Sequence, residues 1–169
     1  MDRLHTALCG ITDMIKRAVF VTTFIIGLAF FGGTALAERL SVAAGIANIR
    51  SGPGGKYEIL WKVENYYPLL VIKKEKNWFQ FRDFEGDEGW IHASLLAKIP
   101  SVITKSEKCN IRSGPGTKHK IVLTVESGIP CKLLNREGTW IQIQHPDGDR
   151  GWIHRSLVWS SRREMTRLR

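Results

Sequence analysis

Two histidines, a pair of cysteines and a loop written twice are the residues of this chain that could do chemistry. His92 and His154 each close a Gly-Trp-Ile-His stretch. A histidine titrates near neutrality and acts as a general base when a nucleophile lies within hydrogen-bond reach. Neither has a sequence-visible nucleophile, and each recurs at one position of a repeat, so both read as structural or solvated histidines. Cys109 and Cys131 have no close His or Asp in ligand spacing, so no metal site and no cofactor are expected.

Asn48 to Gly54 and Asn110 to Gly116 both read NIRSGPG. A glycine loop followed by Lys56 or Lys118 invites comparison with the phosphate-binding pattern G-x-x-x-x-G-K-[ST]. Here Tyr57 and His119 stand where a magnesium-binding hydroxyl is required. The glycine spacing is also wrong, and no helical period follows. The phosphate reading is excluded. A turn reading remains: proline at the second position and a following glycine at positive φ make a type II turn. Ile49 and Ile111 then face a core, and Asn and Arg face out.

The elements that position these residues come in two copies. Asn48 and Asn110 lie 62 positions apart, as do Trp78 and Trp140, Trp90 and Trp152, and His92 and His154. No insertion separates these landmarks, so a unit of about 60 residues is duplicated. Trp78-Phe79-Gln80-Phe81-Arg82 and Trp140-Ile141-Gln142-Ile143-Gln144 alternate as half-buried strands do. Each returns through a glycine-containing turn as GWIH, which makes a hairpin. No stretch after residue 38 sustains a helical period. Units this small are marginal unless their edges are closed. The expected fold is all-β: two small five-stranded barrels in tandem, residues 38–98 and 99–159, with a basic tail at 160–169.

The first 37 residues read differently. Lys16-Arg17 precede the apolar run AVFVTTFIIGLAFFGGTALA, which ends in Ala35-Leu36-Ala37. A positive flank, an apolar run and a small-x-small ending describe a secretory signal peptide with cleavage after Ala37. The run also approaches the length of a membrane span, and retention as an anchor is the alternative. Translation starts at Met1 or at Met14. The residue after the cleavage point is Glu38 and not cysteine, so lipoprotein anchoring is not expected. Export places Cys109 and Cys131 in an oxidising compartment. Each shares a strand face with an apolar residue, Ile111 or Leu133. The two cysteines therefore either form a disulfide or act as buried free thiols.

NIRSGPG, an apolar strand, a W-x-x-apolar strand and the GWIH return ending in Ser-x-Leu together resemble the bacterial SH3-like domain. Both copies match over nearly their whole length. The resemblance implies SH3-type barrels, an exported or periplasmic location, and binding of cell-wall peptide, peptidoglycan or an envelope protein. It implies no catalysis: in relatives, such domains often target a separate peptidase or amidase domain. Recognition of proline-rich ligands is not carried over, because the eukaryotic SH3 signature is absent.

Alternation also selects candidate ligand-binding residues. With Phe79 and Phe81 inward, Trp78 and Gln80 face out, and pairing Trp78 with His92 and Gln80 with Trp90 gathers them on one surface. Trp140, Gln142 and Trp152 repeat the cluster. The competing reading puts one tryptophan of each unit, Trp90 or Trp152, under the NIRSGPG loop to complete a thin core. Tyr57, Trp61, Tyr66 and Tyr67 decorate the loop of unit one, where unit two has His119, Leu123, Gly128 and Ile129. The ligand-selecting loops therefore differ.

The net charge of +9 favours anionic surroundings. Unit one has nine basic against eight acidic residues, unit two nine against five, and the tail four against one. An electrostatic binder of anionic envelope polymer or lipid headgroups is the alternative function. No nucleic-acid partner is expected, and the membrane is a partner only if the signal segment is retained.

Overall fold

The computed structural model describes residues 38–160. The signal segment and most of the basic tail lie outside the described residues. The described part is all-β, in two antiparallel sheets of seven strands each. The first contains β1 (Glu38–Val42), β2 (Ile46–Arg50), β3 (Ile59–Glu64), β4 (Pro68–Glu75), β5 (Trp78–Arg82), β6 (Glu88–His92) and β7 (Leu96–Ala97). The second contains β8 (Ser101–Thr104), β9 (Cys109–Arg112), β10 (Ile121–Val125), β11 (Pro130–Glu137), β12 (Trp140–Gln144), β13 (Arg150–His154) and β14 (Val158–Trp159). The spatial order β3-β2-β6-β5-β4-β1-β7 recurs as β10-β9-β13-β12-β11-β8-β14. Each sheet thus has two strands more than the five expected. The two-residue closing strands β7 and β14 follow a single 3-10 turn and are too short to show a period.

Alternation places the cores. Phe81, Ile91 and Ile49 are fully buried in the first sheet, with Val42 and Leu69 beside them. Ile143, Ile153 and Ile111 take the matching places in the second, where Ile141, the counterpart of half-buried Phe79, is buried as well. Truncating such a residue to alanine costs about 3–5 kcal/mol for Phe and 2–5 for Ile. Register shifts set Leu60 and Val122 outside the regular pairing, between Ile49/Arg50 and between Ile121/Leu123. Such a bulge turns a strand and re-aims its side chains. The neighbours Ile59 and Leu60 are consequently both exposed, as are Ile121 and Val122.

The two barrels share a junction. Ile103 of β8 is buried in the first barrel's core cluster, and Trp159 of β14 packs against it. Ser41 Oγ donates to the Ile99 carbonyl at 2.8 Å and lies 2.5 Å from Ser101 Oγ. Both serines are buried, so the short connection after β7 is held by side chains as well as by its length.

Candidate functional site

NIRSGPG is a clamped loop. Arg50 Nη1 donates to the Tyr57 carbonyl at 2.7 Å, and the Ser51 amide to the Glu58 carbonyl at 3.0 Å. Arg112 Nη1 bonds the His119 carbonyl at 2.8 Å and Ser113 N bonds Lys120 O at 2.9 Å. The arginine therefore ties the start of the loop to its end. The type II turn is not what forms. Gly54 N donates to Gly52 O at 2.9 Å, and Gly116 N to Gly114 O at 3.0 Å. These are three-residue turns centred on Pro53 and Pro115, a geometry close to the φ that proline imposes. Neither Gly54 nor Gly116 has positive φ. Glycine is needed at the preceding position for room: a Cβ on Gly52 would run into the Tyr57 ring, and one on Gly114 into the His119 ring. The loop is a seat for that ring.

The strand residues pair as the pattern requires. Trp78 lies opposite His92 and Gln80 opposite Trp90, with Trp140 opposite His154 and Gln142 opposite Trp152. The Trp78 and His92 rings meet edge to face at 5.3 Å, and Trp140 and His154 at 5.4 Å. Both histidines have a structural task. His92 Nδ1 accepts the Ser94 amide at 3.3 Å and lies 2.7 Å from its hydroxyl, and His154 treats Ser156 identically. The imidazole caps the 3-10 turns Ala93–Leu95 and Arg155–Leu157. This explains why His is followed two residues on by Ser in both copies.

The copies differ in how far this outer face is covered. Trp90 is buried, 8% exposed, with the Lys73 ammonium 5.4 Å from its ring centre. Gln80 donates to Glu88 at 3.1 Å, and Arg82 pairs with the same carboxylate at 2.6 Å. In the second barrel Asn135 replaces Lys73, Gln144 replaces Arg82 and Arg150 replaces Glu88. Trp140, Gln142 and Trp152 are all only half-buried there. Tyr57 is 37% exposed on its loop, with Lys56 near the ring face at 5.6 Å.

Two expectations change, and one open alternative resolves. Trp61 is not a loop residue: it lies on β3, points inward and meets Phe81 edge to face at 6.4 Å. Tyr67 belongs to the core, and its hydroxyl donates to Asp83 Oδ2 at 2.9 Å. Burial first, and then that carboxylate, hold its phenol far above the ordinary range. Asp83 Oδ1 also accepts the amides of Glu85, Gly86 and Asp87, so the carboxylate organises the β5–β6 turn. Lastly, Cys109 and Cys131 are free and buried, with no disulfide between them. They stand where the first barrel has Ala47 and Leu69, as small apolar core residues. The Cys109 thiol faces the carbonyls of Ser106 at 3.4 Å and Leu157 at 3.7 Å. Burial, then the neighbouring Cys109, pushes the Cys131 thiol up to about 12.

A feature that pattern reading missed lies in the second barrel. A cavity of about 110 Å³ is lined by Ile111, Val122, Leu123, Ile143, Asp149 and Arg150. Its signal was present in the repeat, as Leu for Trp and Ile for Phe at matched positions.

Comparison with known proteins agrees with this fold. The bacterial SH3 domain pattern matches residues 43–98 and 105–160, and the chain belongs to that family. It is 26% identical over 142 residues to "Putative N-acetylmuramoyl-L-alanine amidase YrvJ" of Bacillus subtilis, covering 78% of this chain and 27% of that protein. Over 52 residues it is 33% identical to "Probable cell wall amidase LytH" of Staphylococcus epidermidis, covering 30% of this chain and 18% of the relative. A crystal structure of an NlpC/P60 family protein from Bacillus cereus is 13% identical, with a TM-score of 0.36, covering 72% of this chain and 56% of that one. The chain spans about a quarter or less of the curated relatives it matches.

Proposed function

We propose that this chain is an exported, non-enzymatic binding protein of the cell envelope. Two SH3-type modules, residues 38–98 and 99–159, recognise peptidoglycan, its peptide or a wall-associated protein. The observation that carries this reading is the double match to the bacterial SH3 domain, together with relatives whose names are those of cell-wall amidases. The absence of catalysis is supported by the GWIH histidines, whose Nδ1 atoms are occupied by Ser94 and Ser156. The second module is the better ligand face, because Trp140, Gln142 and Trp152 lack the lysine and carboxylate that cover Trp90 and hold Gln80.

A second reading has its own observation: module two has nine basic and five acidic residues, and a basic tail follows. In it, the protein binds anionic wall polymer or headgroups by charge. Sedimentation of the full chain with purified peptidoglycan separates the two. Between about 0.15 and 1 M salt the screening length falls from about 8 to 3 Å. Groove binding should persist across that range, and polyanion binding should be lost. No sedimentation at either salt level, with no wall protein retained by the full chain from an envelope extract, defeats the wall-binding proposal.

A further inference from the structure

We infer that the outer face of the second barrel is a site for a peptide bearing a free carboxylate, with Arg150 taking the carboxylate and the Trp152 indole the aliphatic part beside it. This deepens the proposal of wall-peptide binding and rests on it. The observation that carries it is a reversal of charge between the two barrels around the same tryptophan.

Strand register fixes what surrounds Trp152. Gln142 lies opposite it on β12, and Arg112 opposite it on β9. Arg150 and His154 stand two residues before and after it on β13, so they share its face. Gln144 lies opposite Arg150, and Lys132 opposite Gln144. Direct cross-strand neighbours are about 5 Å apart and diagonal ones about 7–8 Å, within reach of long side chains. The alternating residues Ile111, Ile143 and Ile153 are buried, so both arginines lie on the side away from the core. Two guanidiniums therefore flank one half-buried indole.

The first barrel has the same frame with its charges closed. Arg50 lies opposite Trp90, and Glu88 stands where the second barrel has Arg150. Glu88 is held by Arg82 at 2.6 Å and by Gln80 at 3.1 Å, and the Lys73 ammonium lies 5.4 Å from the Trp90 ring centre. In the second barrel Gln144 replaces Arg82 and Asn135 replaces Lys73. The acid, its arginine partner and the ammonium over the ring are all gone, and a cation stands in the acid's place. Leu70 becomes Lys132 in the same row. Among the described residues neither Arg150 nor Arg112 forms an ion pair. Arg112 uses one Nη on the His119 carbonyl.

The chemistry of this face selects its ligand. A guanidinium presents a planar pair of N–H donors that a carboxylate matches in bidentate fashion. The exposed part of the Trp152 ring is apolar contact area beside that pair. Gln142, released from the carboxylate that holds Gln80, offers an amide donor and an acceptor to a peptide group. Phosphate would use the cations and leave the indole and the amide without a task.

The probe is N-acetyl-alanyl-alanine, titrated into the full chain at about 0.15 M salt. The indole N–H resonance of Trp152 is followed, assigned by its loss in Trp152→Phe. N-acetyl-alanyl-alaninamide and inorganic phosphate are the controls. The peptide should shift the Trp152 resonance with a millimolar Kd, and both controls should bind at least fivefold more weakly. Arg150→Glu restores the residue of the first barrel and should abolish the preference for carboxylate over amide. Arg150 is exposed, and adding Gln144→Arg rebuilds the Arg82–Glu88 contact, so the double variant should fold and show no preference either. An indole that does not shift, equal affinity for acid and amide, or a preference retained in these variants overturns the site. Phosphate binding as tight as the peptide overturns the assignment of a peptide carboxylate in favour of a polyanion face. Sedimentation with peptidoglycan and retention of wall protein from an envelope extract are measured on the same wild-type sample. A silent indole with either of these intact defeats only the carboxylate site, and a responsive indole with neither defeats only the wall-binding proposal.

Discussion

Tyr66 and Gly128 hold the same place in the two barrels and share a left-handed backbone, with φ of 69° and 85°. Lys76 and Gly138 form a second such pair, at 52° and 56°. The left-handed region costs a residue with a Cβ about 1–2 kcal/mol, and glycine's freedom in the unfolded chain returns about 0.5–1 of that. Lys76 is exposed, so little else changes on its replacement. Lys76→Gly should therefore stabilise the protein by about 0.5–1 kcal/mol, and Gly138→Lys should destabilise it. Thermal melts check both, and an unchanged or lower Tm for Lys76→Gly counts against the backbone account.

The serines at the junction are not equivalent. Ser41 donates its proton to the Ile99 carbonyl, so the 2.5 Å contact with Ser101 is made by the Ser101 proton. Ser101→Ala removes one bond and leaves Ser41 satisfied as a donor. Ser41→Ala strands both the Ser101 hydroxyl and the Ile99 carbonyl, in a place where both serines are buried. Each stranded group costs about 1–3 kcal/mol. Ser41→Ala should thus destabilise more than Ser101→Ala, and the double variant less than the sum. Equal single-variant losses in denaturant melts would falsify the assigned donor order.

The fold was legible because its signals are local and repeated. Alternation in Trp78–Arg82 and Trp140–Gln144 gave the hairpins and even the pairing of Trp78 with His92. What stayed hidden depended on contacts at long range. Trp61 read as loop decoration because a bulge at Leu60 breaks the alternation of β3. The cover that Lys73 gives Trp90 arises across strands, after the shift between Val71 and Lys73. The role of glycine in NIRSGPG is set by a ring five residues on, which turn statistics alone do not contain.

Glu38 should give the fold a pH dependence of known sign. Its bond to Lys74, against a smaller opposing effect of burial, holds its carboxyl below the ordinary 4.5, with Lys98 contributing at 3.4 Å. A lowered folded value means stability that is present above 4.5 and lost as pH falls through the folded value. The partly exposed site keeps the effect small. Wild type should melt above Glu38→Gln at pH 7, and the gap should close under acid. A gap that persists after the carboxyl is protonated points to packing instead.

Cys109 and Cys131 should behave as apolar residues. Cys109→Ala copies Ala47 and Cys131→Leu copies Leu69, and each should cost about 1.5 kcal/mol or less. Both thiols should be alkylated after unfolding without reductant. Protection of both under those conditions would show that a bond forms between them.

The outer face of the second barrel should decide wall binding. Trp140 is half-buried and stacks edge to face on His154, and beside it Gln142 has no carboxylate in the place of Glu88. In the first barrel the matching surface is already occupied, since Lys73 lies over Trp90 and Glu88 holds Gln80. Trp140→Ala should therefore weaken sedimentation with peptidoglycan by about 2 kcal/mol or more, and Trp78→Ala should leave it near wild type. Both variants should stay folded, because neither ring belongs to a core cluster. His154→Ala removes the cap on Ser156 and should lower stability by about 0.5–2 kcal/mol without a matching loss of binding. Binding lost in His154→Ala at a temperature where it is folded, with Trp140→Ala unaffected, would move the site from the indole to the imidazole. Equal losses from Trp78→Ala and Trp140→Ala would mean that both barrels bind and that the cover over Trp90 is displaced by ligand.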